Sequence, residues 1–231
     1  MHLHVVSVFV GPDGRGGNPL GAFVDQPELP AEQRQAVAAE LGFSETVFVR
    51  TSGSAAVVQI HTPAVELPLA GHPLVGTAWL LARLGSPVDV LRPPAGEVPT
   101  WTEGATTWIR ARAAWAPEFE SHQLGSAAEV DAHPGAGPGA HLHVWAWEDE
   151  AAGRVRVRVF PTAMGIVEDE ATGAAAIRLG AALQRDLVIR QGVGSEILVR
   201  YAGDGVVEVG GAVVAVEERE LPSSGSSAST S

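Results

Sequence analysis

Three ionisable side chains stand where a loop meets a helix or a strand, and together they could transfer protons. Glu45 lies between a predicted helix and a predicted strand, with the apolar Phe43 and Val47 close to it. His72 and Asp169 each precede a run of small and apolar residues that is typical of a helix start. A carboxyl group with apolar neighbours has a raised pKa, so it can give and take protons near pH 7. The pattern favours proton-transfer chemistry in a cleft between two halves of the chain.

The residues beside His72 are suited to holding an anion. Gly71 lets the backbone come close to a ligand, and the free N–H groups of a helix start can bind a negative charge. Pro73 fits the first helical turn, where a missing N–H has no cost. The alternative is that His72 is a half-buried histidine that only caps or packs.

The residues after Asp169 offer a second binding surface. The backbone amides of Thr172, Gly173 and Ala174 could bind a substrate carboxylate, with Asp169 as a further proton-transfer group. The alternative is that Asp169 is a helix cap, since acids are common at helix N-termini. Glu45 has its own alternative as a solvated loop residue.

Metal and thiol chemistry are not favoured. The chain has no cysteine, which excludes disulfides and thiolate sites. His2-Leu3-His4 and His141-Leu142-His143 each place two imidazoles on one strand face. Since no third ligand stands at a convincing spacing from either pair, we predict no metal site.

Composition limits the class of partner. The chain has 231 residues and a formal net charge of −12, which argues against binding nucleic acid or an anionic membrane surface. Its longest apolar stretch is too short and too rich in glycine to span a bilayer, and it begins with strand-like alternation instead of a signal peptide. We therefore expect a cytoplasmic protein that acts on a small molecule.

Two sets of alternating elements must position these side chains. The first half has a predicted helix over residues 31–41, bounded by Pro30 and Gly42, and a second over residues 73–84 that is apolar nearly all round and expected to be central. The second half has a predicted helix over residues 171–183. The predicted strands are residues 5–10, 22–25, 46–50, 55–61, 88–91 and 106–112, then 142–147, 154–160, 187–191, 197–201, 206–209 and 213–217.

This repeated order predicts an α+β fold of two similar lobes, each a mostly antiparallel sheet wrapped around a central helix, with the second lobe shortened. We assign residues 1–117 to an N-terminal lobe and residues 118–139 to a linker rich in Gly, Pro and Ala. Residues 140–222 form the C-terminal lobe, whose last strands could return to the first. Residues 223–231 are rich in serine and are predicted to be a disordered tail.

Five motifs in order resemble those of the phenazine-biosynthesis PhzF-like isomerases, which share the two-lobed diaminopimelate-epimerase fold. They are Gly17-Asn18-Pro19-Leu20, Phe43-Ser44-Glu45-Thr46-Val47-Phe48-Val49, Thr62-Pro63 through Glu66-Leu67, Ala70-Gly71-His72-Pro73 with Gly76-Thr77-Ala78, and Glu168-Asp169 with Ala171-Thr172-Gly173. The match runs from about residue 5 to residue 216 and is specific in combination.

The resemblance implies a cofactor-free isomerase whose glutamate moves a proton within a bound substrate, as the type member does when it converts dihydro-hydroxyanthranilate to its ketone isomer. It makes Glu45 the general acid/base, and His72 and Asp169 its partners across the cleft. The substrate-binding residues it implies are Asn18, Gly71, Pro73, Thr172, Gly173 and Ala174. Family habit and the shortened second lobe also imply a homodimer.

Two residues depart from the family pattern Glu-Asp-Pro-Ala-Thr-Gly-Ser. Glu170 replaces the proline, and Ala174 replaces the serine and its hydroxyl donor. A second acid beside Asp169 should raise a carboxyl pKa and disfavour an anionic group there. Two alternatives therefore stay open: a non-catalytic small-molecule-binding or scaffold protein, and an epimerase or lyase of the same fold.

Overall fold

The computed structural model describes residues 1–221, which form one mixed sheet and a few helices. The strands are β1 (His2–Val10), β2 (Gly16–Val24), β3 (Glu45–Ser52), β4 (Ala55–His61), β5 (Glu66–Leu67), β6 (Val90–Arg92), β7 (Val98–Glu103), β8 (Thr106–Arg112), β9 (Glu120–Gln123), β10 (Leu142–Asp149), β11 (Arg154–Phe160), β12 (Leu187–Gln191), β13 (Ser195–Gly203) and β14 (Val206–Glu220). The α-helices are α1 (Ala31–Leu41), α2 (Gly71–Arg83), α3 (Ala127–Asp131) and α4 (Gly173–Leu183), and short 3-10 helices cover Ala113–Trp115 and Thr162–Met164.

Part of the sheet closes on itself around α2. The order β1-β2-β3-β4-β6-β7-β8-β14 returns to β1, because β14 pairs with both β8 and β1. We call these strands the closed ring. Helix α2 contacts β1, β2, β3, β7, β8 and β14, so it lies inside the ring with Leu74, Val75 and Leu81 fully buried. A helix that is apolar on all sides is stable only when surrounded, which confirms the predicted central helix.

The remaining strands extend from β14 in the order β13-β12-β11-β10-β9, and we call them the open sheet. Within residues 1–221, β9 ends this sheet and pairs only with β10. Helix α4 packs against β13 and β14 and also contacts α2 and the first 3-10 helix. The α+β class is therefore confirmed, and the wrapping of the second sheet around α4 stays a prediction.

One long strand replaces the two short ones predicted near the end of the chain. β14 runs for 15 residues through Gly210 and Gly211, which suggest a turn in the sequence. A Cβ at Gly210 would lie 2.5 Å from the Trp108 ring, and one at Gly211 would lie 2.5 Å from the Phe9 ring. The two glycines thus allow aromatic rings to approach the strand, and they do not end it.

The segment predicted as a linker contains secondary structure. β9 joins the sheet edge through parallel pairing with β10, and α3 follows it. The Ser126 side chain accepts a hydrogen bond from the Glu129 backbone amide, and Glu129 accepts one from the Gly125 amide. This resembles a capping box, a helix signal that the sequence carries in four residues. The predicted tail over residues 223–231 lies outside the described residues.

The predicted loop over residues 11–19 is shorter than expected, because β2 already begins at Gly16. Asn18 therefore lies on a strand, where it pairs with Val8 of β1. Its side chain is fully buried beside the ends of α2 and α4. A strand fixes the direction of this amide more tightly than a loop would.

Candidate active site

The N-termini of α2 and α4 meet at two glycines. Helix α2 begins at Gly71 and α4 begins at Gly173. A Cβ on Gly71 would lie 2.7 Å from the Gly173 Cα, and a Cβ on Gly173 would lie 2.8 Å from the His72 backbone nitrogen. Only glycine permits this approach, which brings two sets of free helix N–H groups to one place.

Glu45 and His72 face each other beside this contact. Glu45 is the first residue of β3, and His72 lies in the first turn of α2. The Glu45 Oε2 and His72 Nε2 atoms are 3.4 Å apart, and the two residues are only 6% and 2% exposed. Neither atom has a hydrogen-bond partner among the described residues. An unsatisfied pair this deep in a protein is costly, and such pairs are typical of functional sites.

Burial decides the charge of this pair. It raises the pKa of Glu45 well above its usual range, and the nearby Asp169 charge raises that pKa further. Burial also lowers the pKa of His72 to about 3. Near neutral pH the His72 imidazole is therefore uncharged, so its contact with Glu45 is not an ion pair.

Asp169 is held by three side chains. Asn18 Nδ2 donates to its Oδ1 at 2.7 Å, Ser44 Oγ donates to the same oxygen at 3.2 Å, and Thr172 Oγ1 donates to Oδ2 at 2.6 Å. Burial raises the pKa of Asp169 to about 6, although the hydrogen bonds from Thr172, Asn18 and Ser44 oppose that shift. Asp169 can therefore change its protonation state close to neutral pH.

Asn18 connects the two sides of the site. Besides Asp169, its Nδ2 donates to the Ala171 carbonyl at 3.0 Å, and it lies 3.4 Å from His72 Nδ1. Glu45, His72, Asp169 and Asn18, which are far apart in the sequence, thus form one buried cluster. This cluster can hold, donate and accept protons without contact with bulk water.

The other candidate residues line the first turns of the helices. Thr172 contacts Asp169 through its hydroxyl, and Gly71 and Gly173 form the helix contact. Pro73 and Ala174 are buried in the first turns of α2 and α4. The structure brings all of these positions together, and their roles toward a substrate stay predictions.

The comparisons with known proteins agree with this fold. The family model described as phenazine biosynthesis-like protein, PhzC-PhzF, matches residues 6–141. The chain belongs to this family. It is 32% identical, over an alignment 237 positions long, to trans-2,3-dihydro-3-hydroxyanthranilate isomerase from Pseudomonas fluorescens, covering 86% of this chain and 85% of the relative. The isomerase of the same name from Pseudomonas chlororaphis is 33% identical over 238 residues, with the same coverage.

A solved structure supports the same assignment at the level of fold. The PhzF-family protein from Enterococcus faecalis superimposes with a TM-score of 0.76 over 96% of this chain and 98% of its own, at 19% identity. Together with the sequence relatives, this makes the present chain a PhzF-family isomerase.

The two departures from the family pattern lie on the Asp169 side of the site. The Glu170 carboxylate accepts hydrogen bonds from the Val193 amide at 2.9 Å and from Ser195 Oγ at 2.8 Å. Ser195 Oγ in turn accepts one from the Gly17 amide at 2.7 Å. Glu170 therefore holds the β12–β13 turn, and Ser195 joins that turn to β2. Its charge does raise the pKa of Asp169, but burial is the largest cause.

Sequence reasoning missed two residues of the cluster. Ser44 contacts Asp169 directly, and it lies beside Glu45 in a motif that could have indicated it. Gln191 is 1% exposed, donates to the Asp169 carbonyl at 2.7 Å and accepts from the Thr172 amide at 3.0 Å. No local pattern marks Gln191, since it reaches the site only through the pairing of β12 within the open sheet.

Proposed function

We propose that this PhzF-family isomerase moves a proton within a small, carboxylated, unsaturated substrate, with Glu45 as the group that carries the proton. The observation that supports this most strongly is the pair of buried, unpartnered atoms 3.4 Å apart, Glu45 Oε2 and His72 Nε2. A carboxyl group whose pKa is raised by burial is suited to both halves of such a transfer.

The step conserves atoms and electrons. Glu45 in its carboxylate form takes a proton from one substrate carbon, the electrons of that C–H bond shift the double bond, and the Glu45 carboxyl returns the proton to another carbon. No oxidant, reductant or cofactor is required by this step. The neutral His72 imidazole lies beside Glu45 and would orient its carboxyl group. The imidazole can accept a hydrogen bond from the protonated carboxyl or donate one to the carboxylate as the charge of Glu45 changes.

The paired helix N-termini would hold the substrate carboxylate. Free backbone amides and the positive ends of α2 and α4 favour an anion at the contact of Gly71 and Gly173. Asp169, fixed by Asn18 and Thr172, would accept a hydrogen bond from a polar group of the substrate. Since Glu45, His72 and Asp169 are all nearly inaccessible, a substrate would reach them after a local opening of the residues that cover the cluster.

The substrate we propose to test first is trans-2,3-dihydro-3-hydroxyanthranilate, the compound that appears in the names of the two Pseudomonas relatives. Its turnover in D2O, followed by proton NMR, reports both product formation and deuterium incorporation. We expect Glu45→Gln to lower the rate roughly 10²–10⁴-fold, because the amide cannot carry the proton. Glu40→Gln, on the exposed end of α1, is the matched control and should leave the rate unchanged.

Each outcome of this experiment decides a different point. Equal exchange in wild type and Glu45→Gln would overturn the role of Glu45. Binding of the compound with no exchange in wild type would favour a non-catalytic binding protein. Exchange that inverts a carbon centre without moving a double bond would favour an epimerase.

The two-lobe organisation is part of the same proposal. We assign residues 1–117 to the first lobe, residues 118–139 to the connection and residues 140–222 to a shortened second lobe, whose last strand, β14, returns to the closed ring. The alignment with the Pseudomonas fluorescens relative supports a shortened chain. The alignment is 237 positions long but includes only 86% of the 231 residues of this chain, so gaps in this chain fill the other positions.

We also propose a homodimer. Among residues 1–221, the exposed strand β9 pairs only with β10, and a strand edge without a neighbour can pair with a second copy. A cavity of about 450 Å³ lined by Phe119, His143 and Arg178 also lies open beside α4. Light scattering on the protein as it elutes from a size-exclusion column should give twice the chain mass, and a monomer mass would overturn the proposal.

None of the described helices is long and apolar enough to cross a membrane, and the cytoplasmic location stays a prediction.

A further inference from the structure

A group of metal-binding side chains lies where β1 and β14 close the ring. The register pairs His4 with Glu218 and His2 with Glu220. Since alternate residues of a strand face the same side, His2 and His4 project together, and Glu218 projects beside them from the neighbouring strand. The sequence showed the two histidines without a third ligand, and the pairing of β1 with β14 supplies it.

The three ligand atoms are close enough to share one ion. His2 Nε2 lies 3.7 Å from Glu218 Oε2, and His4 Nδ1 lies 3.5 Å from Glu218 Oε1. All three groups have a ligand atom within 4.8 Å of the others. Ligands on a tetrahedral zinc ion at 2.0–2.1 Å are about 3.4 Å apart, so small side-chain rotations complete the site.

The surrounding hydrogen bonds prepare the imidazoles for an ion. His2 Nδ1 contacts Glu220 Oε1 at 2.8 Å, which favours a proton on Nδ1 and leaves the lone pair of Nε2 facing Glu218. A carboxylate on the far nitrogen of a histidine is the usual partner of a metal ligand. His4 Nδ1 is buried and has no hydrogen-bond partner among the described residues.

We propose that His2, His4 and Glu218 bind one divalent transition-metal ion, which fastens β1 to β14. Two imidazoles and one carboxylate favour ions such as Zn²⁺ over Mg²⁺ or Ca²⁺. Glu218 is half exposed, so water can complete the coordination. The site lies about 13 Å along β1 from Val8, the strand partner of Asn18, and is thus separate from the Glu45 cluster.

The test uses the full chain without an affinity tag, stripped with a chelator and titrated with Zn²⁺ at about pH 7.5, where imidazoles are neutral. We expect binding of one equivalent and a melting temperature that rises with Zn²⁺ concentration, because the ion binds only the paired strands. Mg²⁺ should give neither effect. With Co²⁺ as a second probe, the visible absorption bands should indicate nitrogen and oxygen ligands.

Two variants and one control make the result decisive. His4→Gln and Glu218→Gln should each weaken Zn²⁺ binding roughly tenfold or more, and Glu218 is exposed enough to be replaced without disturbing the core. His122→Gln is the control, since His122 also contacts a glutamate but belongs to no described three-ligand group. Equal affinity in wild type and Glu218→Gln, or no binding at about 100 µM Zn²⁺, would overturn the proposal.

Discussion

Glu45 and His72 show how burial prepares ordinary side chains for proton transfer. In water a glutamate is ionised near pH 7 and a histidine is partly charged. Here burial favours the uncharged form of both groups, by raising the pKa of Glu45 and lowering that of His72 to about 3. An acid whose two protonation states are close in energy at the working pH transfers protons most effectively.

Asp169 should make the folded protein more stable in mild acid. Its pKa is about 6 in the folded chain against an ordinary 3.8, so the folded state holds the proton more tightly. This contribution is fully present below pH 3.8 and is lost as the pH rises through 6. Relative to Asp169→Asn, we expect the wild type to lose about 2 kcal/mol of unfolding free energy between pH 4 and pH 7.

Urea unfolding followed by tryptophan fluorescence at several pH values measures this difference. Removing the Asp169 charge also lowers the pKa of Glu45, which adds to the difference with the same sign. Asp89→Asn, at an exposed position, is the control and should keep the wild-type slope. If both variants follow the same pH dependence, the buried carboxyl of Asp169 does not titrate as described.

Two helices depend on each other through their first residues. Because Gly71 and Gly173 are in contact, a shift of either helix moves the amides that we propose for the substrate carboxylate. The sequence places a glycine before each apolar run, but it does not show that one glycine needs the other.

Gly173→Ala should therefore lower the activity by more than the loss of folded protein alone would explain. Its Cβ would lie 2.7 Å from the Gly71 Cα, a backbone atom that cannot turn aside, and overpacking of this kind costs about 1–3 kcal/mol. We expect a clear loss of kcat/KM per folded molecule, measured beside the unfolding free energy.

Gly180→Ala in the same helix is the matched comparison. Its Cβ would lie 2.5 Å from a Val199 side-chain methyl, away from the helix start. This variant should lose stability and keep its activity per folded molecule. Equal activity in the two variants would show that the helix contact does not position the site.

The whole molecule buries neutral imidazoles in both parts of its sheet, which predicts sensitivity to acid. His72 lies on α2 inside the closed ring, and His143 lies on β10 of the open sheet with Ser121 Oγ 3.1 Å from its Nδ1. Burial lowers the pKa of His143 to about 4 from an ordinary 6.5. Its contribution to stability is fully present above pH 6.5 and is lost as the pH falls through 4.

We expect His143→Gln to reduce the acid-induced loss of unfolding free energy by about 3 kcal/mol between pH 7 and pH 4. Thermal or urea unfolding across this range measures the change. His122→Gln, on the exposed neighbouring strand β9, should leave the loss as it is in wild type. An unchanged slope in His143→Gln would mean that this imidazole is not held neutral.

Local sequence patterns predicted many of the helices and strands. The predicted bounds of α1, β4, β8, β11 and β12 agree with the structure, because helix and strand periodicities are encoded in neighbouring residues. β14 was predicted as two strands, since a glycine pair gives the same signal for a turn and for close packing. β9 has only exposed residues, so it shows no apolar alternation to detect.

The sequence by itself determined the family, the α+β class and the candidate residues. The motifs that indicate them can be recognised by their order along the chain, without knowing which residues are in contact. Only the tertiary structure decided that Glu45 faces His72 at 3.4 Å, that Gln191 holds Asp169, and that Glu218 stands beside His2 and His4. The reason is physical. These contacts join residues far apart in the chain, and they follow from strand register and helix packing, which no local periodicity specifies.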